Sequence, residues 1–274
     1  MSANFGQQSG WFSGLPPVTK NLIIINFIIF LVALVSPEMR LRIEQYGALH
    51  YFTSPGFKPW QLLSYMFIQF GWWHLFFNMF GLFMFGRTIE QVLGPSRFLT
   101  YYLGCGIGAA LVQEGVFALM INHYSQFFSP EAMALLPRAG WEAFYNGQAL
   151  LDAPEPVLQE IYRVVDGVLE FTPEAGKVAT LMTVPTVGAS GCIYGILLAF
   201  GMFFPNARIY LYFAIPVKAK WLVLGYGILE LLQGLSDRVG DDVAHFAHLG
   251  GMIVGLLMIL YWKSKGTFRN GWYF

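Results

Sequence analysis

The sequence predicts an all-α membrane protein with six membrane-spanning helices. Hydrophobic residues make up 56% of the chain and charged residues only 12%, whereas ordinary soluble domains carry about 45–50% and about 25%. Apolar segments recur at the roughly 20-residue length that a bilayer core about 30 Å thick requires. Polar or proline-containing breaks separate these segments. We therefore expect a multi-pass bundle in contact with the lipid bilayer.

The predicted spans form one membrane domain. The first span lacks a preceding cationic leader and a following small-residue cleavage site, so we expect it to be retained and not removed as a signal peptide. The spans are Lys20–Val35, Gln61–Phe85, Ser96–Met120, Pro185–Phe204, Trp221–Leu235 and Val243–Trp262. They place a membrane domain at residues 20–262, between an N-terminal tail, 1–19, and a C-terminal tail, 263–274.

The distribution of charge predicts the orientation. Lys and Arg in short loops beside spans favour the cytoplasmic side. With the N-terminus inside, the cytoplasmic bases are Lys20, Arg87, Arg97, Arg208, Lys218, Lys220, Lys263, Lys265 and Arg269. Most acidic residues then fall outside, and an even number of spans returns the C-terminus to the cytoplasm. We expect a bacterial inner membrane. Because 16 basic and 16 acidic residues cancel, we expect no nucleic-acid partner.

An acidic segment with several prolines, residues 122–177, separates the third and fourth spans. We expect it to be an extracytoplasmic insertion without chemistry of its own. Within it, Pro156–Phe171 carries aliphatic residues near helical spacing, which predicts short amphipathic helices. Elsewhere Cys105 and Cys192 lie in separate apolar runs, which favours plain packing over a disulfide or a zinc site.

Ser190 is the first candidate for chemistry. It lies between Gly188 and Gly191 at the extracytoplasmic start of the fourth span, with Gly195 one turn further on. A nucleophilic hydroxyl needs a helix N-terminus, open space and a base within reach, and the glycines provide space. The alternative interpretation is a stripe of small residues for close helix packing, with a serine bonded to its own helix.

A histidine cluster at the start of the sixth span is the second candidate. His248, Gly251 and Gly255 share one helix face. If this face packs against the glycines of the fourth span, His248 and Ser190 come to similar depth. His245, one turn earlier, suggests a metal site. However, two histidines without a carboxylate or thiol provide too few ligands for a typical site. We therefore predict no metal and no other cofactor.

The third candidate is a pair at the start of the second span. His74 and Asn78 are four residues apart and project from one helix face. Two side-chain donors at this depth suit the stabilisation of a tetrahedral oxyanion. A polar clasp between two helices is the alternative.

These motifs together resemble the rhomboid intramembrane serine proteases, including their order along the chain. The resemblance rests on Gly-Ala-Ser-Gly at 188–191, His74 with Asn78, and Ala-His-Leu-Gly-Gly at 247–251 followed by Gly255. Gly-xxx-Glu at 86–90 and Tyr194 also match the family pattern. The resemblance implies a six-span rhomboid-like bundle.

The resemblance also implies the roles of the site residues. Ser190 would be the nucleophile and His248 the general base, as a dyad without a required aspartate. The backbone N–H of Ser190, His74 and Asn78 would form the oxyanion hole, and Tyr194 would pack against the imidazole. The implied reaction is hydrolysis of a peptide bond in or next to the transmembrane segment of membrane-protein substrates. We expect no third triad member.

Departures and rival interpretations accompany this prediction. Many rhomboids carry arginine and histidine where this chain has Gln61 and Gln69.

One rival function is that of an inactive rhomboid-like protein that binds membrane clients. Another is that of a transporter, suggested by the intramembrane carboxylates Glu114 and Glu230. Other intramembrane proteases fit poorly, since the chain lacks His-Glu-x-x-His and the Asp-Asp pair at 241–242 has no second aspartate within a span.

Overall fold

Helices dominate the computed structural model, which describes residues 14–211, 214–236 and 245–267. The helices are α1 (Pro17–Ala33), α2 (Pro37–Gly47), α3 (Gln61–Ser64), α4 (Trp72–Gly81), α5 (Arg87–Leu93), α6 (Pro95–Tyr124), α7 (Pro130–Trp141), α8 (Glu155–Ile161), α9 (Pro173–Thr183), α10 (Ser190–Phe203), α11 (Ala219–Leu235) and α12 (His245–Ser264). Two antiparallel hairpins pair β1 (Tyr162–Val165) with β2 (Val168–Phe171) and β3 (Arg208–Leu211) with β4 (Ile215–Lys218). The Asp-Asp pair at 241–242, the start of the sixth predicted span and the outer parts of both tails lie outside the described residues.

Helix α6 lies at the centre of the bundle, in contact with both α10 and α12. Its 30 residues span about 45 Å. Three aromatic side chains of α6, Phe98, Tyr101 and Tyr102, are completely buried in the main core. The Tyr101 hydroxyl donates to the Gly195 carbonyl at 2.7 Å, so α6 is joined to α10 by a buried hydrogen bond. Cys105 and Cys192 are both buried in the main core, which confirms their predicted packing role.

The insertion forms a second hydrophobic cluster beside α6. It includes residues from α7, α8 and α9, among them Leu136, Ile161 and Val178, together with Ile121 of α6. Helices α7 and α9 pack on each other, and α9 also contacts α6. The insertion therefore has a core of its own that is docked on the bundle.

The prediction of helices throughout Pro156–Phe171 is wrong beyond Ile161. Residues 162–171 form the β1–β2 hairpin, in which Tyr162 pairs with Phe171 and Val165 with Val168. Asp166 and Gly167 make the turn with φ values of 50° and 81°. An Asp-Gly turn with positive φ at both positions suits a two-residue hairpin, and the flanking β-branched valines favour strands.

The prediction of one continuous helix over Gln61–Phe85 is also wrong. Helix α3 has four residues, a 3₁₀ turn follows at Tyr65–Phe67, and the chain is then extended at Ile68. Gly71 adopts φ 84° immediately before α4, a conformation that favours glycine. A separate helix therefore begins at Trp72, and His74 lies in its first turn.

The other predicted spans coincide with helices, although α10 begins at Ser190 and not at Pro185. Among the described residues, two helices, Pro95–Phe127 and His245–Ser264, are long and apolar enough to cross a membrane, while α1 and α10 are shorter apolar helices. Exposed apolar side chains cover α1 and α11, including Ile28, Leu31, Ile228 and Leu232. Extensive apolar surface of this kind marks contact with a membrane or a partner.

A buried carboxylate from α5 caps the start of α1. Pro16 at the N-cap offers no side-chain cap, and the first N–H groups of a helix lack partners within the helix. Glu90 accepts hydrogen bonds from the backbone N–H groups of Val18 at 2.9 Å and Thr19 at 2.7 Å, and from the Thr19 hydroxyl at 2.7 Å. Glu90 therefore joins the first helix to α5, which follows the second predicted span.

We predict that Glu90→Ala lowers the free energy of unfolding by roughly 2–3 kcal/mol, because it leaves these buried donors without their charged acceptor. Reversible unfolding in mixed detergent micelles measures the change. Glu131→Ala is the control, since Glu131 is an exposed acid in the first turn of α7. Equal stability of the Glu90 and Glu131 variants would contradict the capping role.

A buried histidine joins the insertion to the loop that follows α2. The Nδ1–H of His50 donates to the Ala48 carbonyl at 3.1 Å, which leaves Nε2 to accept from the Tyr145 hydroxyl at 2.9 Å. The His50 ring also packs against Trp141, with centroids 5.4 Å apart. Burial lowers the pKa of His50, an effect that exceeds the opposing hydrogen bonds with Ala48 and Gln61.

Acid should weaken this contact. Because the pKa of His50 is lower in the folded protein than its ordinary value of about 6.5, its contribution to stability is complete above that pH and is lost as the pH falls. We predict that the difference in thermal midpoint between wild type and His50→Gln shrinks from about pH 7.5 to about pH 5.5. His123→Gln, at an exposed histidine, should show no such change. A pH-independent difference for His50→Gln would refute the assignment.

Candidate functional site

The starts of three helices meet at the predicted site. Ser190 is the first residue of α10, His248 lies in the first turn of α12, and His74 lies in the first turn of α4. Helix N-termini present unpaired N–H groups and partial positive charge. Their convergence creates a position suited to developing negative charge.

Ser190 and His248 are in direct contact. The Ser190 Oγ lies 2.8 Å from Nε2 of His248. His248 is buried, with 8% of its surface exposed, while Ser190 is half-buried. This geometry suits proton transfer from a serine hydroxyl to an imidazole base.

Close backbone contact between α10 and α12 produces this distance. A Cβ atom on Gly251 would overlap the carbonyl of Gly191, and one on Gly195 would lie 3.1 Å from the Gly251 carbonyl oxygen. Gly255 lies against α6 instead, where a Cβ would be 3.2 Å from the Cys105 sulfur. The glycine face of α12 therefore contacts two helices, and Gly251 sets how closely α10 approaches.

His74 lies beside the serine with a defined orientation. A Cβ on Gly188, which has φ 119°, would lie 2.7 Å from His74 Nε2 and 3.6 Å from Ser190 Oγ. His74 Nδ1 accepts from the Phe70 N–H at 3.2 Å. In the neutral ring, Nε2 then carries the proton, so a donor faces the space next to Ser190.

Asn78 belongs to a chain of buried amides. Its Nδ2 donates to Gln69 Oε1 at 2.7 Å, and Gln69 in turn donates to Asn26 Oδ1 at 2.9 Å. An amide nitrogen carries two hydrogens, so Asn78 retains one for an oxyanion. Its oxyanion role stays a prediction. Gln69 stands where many rhomboids carry a histidine, and its hydrogen bond fixes the Asn78 side chain.

Gln61, the other departure, organises the loop after α2. Its Oε1 accepts from the backbone N–H groups of His50 at 3.3 Å and Lys58 at 3.1 Å. Its Nε2 donates to the carbonyls of Gln45 at 3.2 Å and Gly56 at 3.0 Å. A single neutral side chain thus satisfies three backbone groups of this loop and one in the last turn of α2.

Tyr194 lies against the His248 ring, one turn after Ser190. The two ring centroids are 4.3 Å apart and the planes differ by 6°. This stacking restricts rotation of the imidazole, in the arrangement that the resemblance implied.

Sequence reasoning missed one residue of the site. Glu230 Oε2 lies 2.6 Å from Nδ1 of His245 and 3.0 Å from Nδ1 of His248, while Oε1 accepts from the Tyr194 hydroxyl. The His248 contact has ion-pair distance but not the angle of a good hydrogen bond. No third triad member was expected from the sequence, but the structure places the Glu230 carboxylate next to Nδ1 of His248. Because α11 supplies Glu230 from a distance in sequence, only its intramembrane position signalled it.

Glu230 also supplies the carboxylate that the two histidines lacked as a metal-ligand set. Ligand atoms of Glu230, His245 and His248 all lie within 4.8 Å of one another. However, Glu230 and His245 contact each other at 2.6 Å, whereas ligands about 2.0–2.2 Å from a tetrahedral zinc ion lie more than about 3 Å apart. The arrangement is that of a hydrogen-bonded pair. The absence of a metal stays a prediction.

Comparisons with known proteins agree with these motifs. The Rhomboid domain matches residues 56–133 and 167–265, leaving out 134–166 inside the insertion. The mitochondrial RHOMBOID-like protein 12 of Arabidopsis thaliana is 27% identical over 94% of this chain and 62% of its own length. Rhomboid protease GlpG of Yersinia pseudotuberculosis is 22% identical over 93% of this chain and 65% of its own. The mitochondrial Rhomboid protein 1 of Saccharomyces cerevisiae is 26% identical over 68% of this chain and 36% of its own length.

The chain thus spans less than two thirds of the length of each of these relatives. The matched segments of the Rhomboid domain nevertheless cover more than half of the 274 residues, and they include the starts of α4, α10 and α12. The chain belongs to the rhomboid family.

Proposed function

We propose that this protein is an intramembrane serine endopeptidase that cleaves a peptide bond in or next to the transmembrane segment of membrane-protein substrates. The observation that carries the proposal is the 2.8 Å contact between Ser190 Oγ and His248 Nε2. The relative named as a rhomboid protease supports the same chemistry.

The chemistry follows acyl transfer. Ser190 Oγ attacks the substrate carbonyl while His248 Nε2 accepts its proton. His248 then returns this proton to the leaving amine, and water hydrolyses the acyl-enzyme. The backbone N–H of Ser190 at the helix start, the Nε2–H of His74 and the second amide hydrogen of Asn78 stabilise the oxyanion.

The same proposal includes six spans, with both tails cytoplasmic and residues 122–177 extracytoplasmic. Helices on all six predicted segments and the apolar surfaces of α1 and α11 support it. Relatives of both mitochondrial and bacterial origin match the chain, so they support a membrane location and favour neither compartment. The bacterial inner membrane stays a prediction.

The rival functions receive less support. A client-binding protein without activity has no need of the Ser190–His248 contact. For a transporter, the intramembrane carboxylates would need to bind an ion or substrate, but Glu114 accepts the Phe52 backbone N–H at 3.1 Å and Glu230 is bonded within the site. Both carboxylates thus have partners in the chain.

We predict that a fluorophosphonate probe labels purified wild-type protein in detergent and fails to label Ser190→Ala or His248→Ala. Loss of the nucleophile removes the bond-forming atom, and loss of the base leaves the hydroxyl protonated. In-gel fluorescence measures labelling, and circular dichroism checks that each variant is folded.

Ser236→Ala is the matched control, because Ser236 is an exposed serine at the end of α11. Equal labelling of wild type and Ser190→Ala, or no labelling of folded wild type, would refute the serine-protease proposal. The second outcome would favour the client-binding alternative.

We predict that His74→Ala and Asn78→Ala each lower kcat by roughly 10²–10³-fold with little change in KM, since an oxyanion donor acts in the transition state. Cleavage of a transmembrane model substrate in proteoliposomes measures both constants. The controls are His123→Ala and Asn122→Ala, which alter exposed residues of the same types in α6. An unchanged kcat in either site variant would remove that residue from the oxyanion hole.

A further inference from the structure

We propose that Glu230 is a positioning residue for His248, so that the site works as a Ser190–His248–Glu230 triad. This inference rests on the proposed protease function and extends it. The residue reaches the site from α11, through contacts with side chains of α10 and α12.

Three side chains converge on one buried carboxylate. Glu230 is 4% exposed, and it lies behind the imidazole as seen from Ser190. Ser190 contacts Nε2 of His248 at 2.8 Å, and Glu230 approaches the opposite nitrogen, Nδ1, at 3.0 Å. This is the order of groups in a serine-protease triad.

The order of contacts fixes which nitrogen must carry the proton. Nε2 can accept the Ser190 proton only if it is unprotonated, and the proton of the neutral ring then lies on Nδ1. A carboxylate next to Nδ1 favours this tautomer and stabilises the imidazolium that forms when Ser190 loses its proton. Glu230 stays ionised throughout, and no proton passes to it.

Tyr194 and His245 hold the carboxylate in place. The Tyr194 hydroxyl donates to Oε1, and its ring stacks on His248, so one residue orients both the acid and the base. His245 Nδ1 contacts Oε2 at 2.6 Å. Each carboxylate oxygen therefore has a partner, and Oε2 is the one directed at both histidines.

A purely structural role for Glu230 predicts that removing its charge while keeping its shape leaves the rate unchanged. Of the 17 residues of α11, only Ala219, Val223 and Glu230 are buried, so Glu230 also attaches this helix to the bundle. A neutral amide of the same shape would preserve that attachment, because its oxygen accepts a hydrogen bond from Tyr194. The amide would not supply the negative charge next to His248.

The test compares Glu230→Gln, which keeps shape and removes charge, with Glu230→Asp, which keeps charge on a shorter side chain. The readouts are the rate of fluorophosphonate acylation, kcat and KM for the transmembrane substrate, and the thermal midpoint in the same detergent. Glu114→Gln is the matched control, a buried glutamate of α6 whose oxygen contacts the Phe52 N–H and no site residue named above. Ser190→Ala gives the background.

We expect Glu230→Gln to lower kcat and the acylation rate by about 10²-fold or more, since an Asp-to-Asn change at the third triad position costs up to about 10⁴-fold. KM and the thermal midpoint should stay close to those of Glu114→Gln. Glu230→Asp should be faster than Glu230→Gln, even if it is less stable.

Three outcomes would overturn the inference. The first is an acylation rate of Glu230→Gln equal to that of wild type, and the second is a higher acylation rate for Glu230→Gln than for Glu230→Asp. The third is inactivation of wild type by EDTA with recovery on adding Zn²⁺, which would make the cluster a metal site. In the first two outcomes the labelling still depends on Ser190 and the protease function stands. If wild type and Ser190→Ala label alike, the protease function itself fails.

Discussion

The site depends on the close approach of α10 and α12. A side chain at Gly251 would occupy the position of the Gly191 carbonyl, so any larger residue would push the helices apart. The separation of the two helices sets the 2.8 Å distance between Ser190 and His248, because each residue lies in the first turn of its helix. The contact between Gly251 and Gly191 thus fixes both the packing of α10 against α12 and the geometry of the Ser190–His248 pair at the starts of these helices. This is also why the glycine pattern fits a packing role and a catalytic role equally well in the sequence.

Several buried polar side chains of the described structure have hydrogen-bond partners in distant parts of the chain. The amides of Asn78, Gln69 and Asn26 form one series from α4 to α1, and Gln61 satisfies the backbone of the loop after α2. An unpaired polar group is costly in an apolar interior, so each such bond restricts the positions that a helix can take. The amide series in particular connects the predicted oxyanion donor Asn78 to the first helix.

The helix positions and the Ser190–His248 pair could be predicted from the sequence because their signals are local. Apolar length locates α1, α6 and α12, and the glycine motifs mark the two helix starts. The break before α4 was missed because residues 61–85 are continuously apolar enough to suggest one span, while the interruption depends on the backbone of Gly71. The β1–β2 hairpin was missed because its valines also fit helical spacing. Glu230 was missed as a site residue because its partners lie on other helices and no local motif marks it, whereas glycine motifs and the family resemblance mark Ser190 and His248.

The buried carboxylates of the described structure share one property: each connects segments that are far apart in the chain. Glu90 binds the start of α1, Glu114 binds the loop that contains Phe52, and Glu230 binds residues of α10 and α12. A charge buried in such a bundle is costly unless it is paired and hydrogen-bonded, so the pairing imposes a definite geometry on both segments. At Glu90 and Glu114 the partners are backbone N–H groups and one threonine hydroxyl, and the effect is confined to structure. At Glu230 the partners are a tyrosine and two histidines, so the same constraint acts on groups that can hold or move a proton. A carboxylate that attaches α11 to the bundle thereby also orients the imidazole next to Ser190.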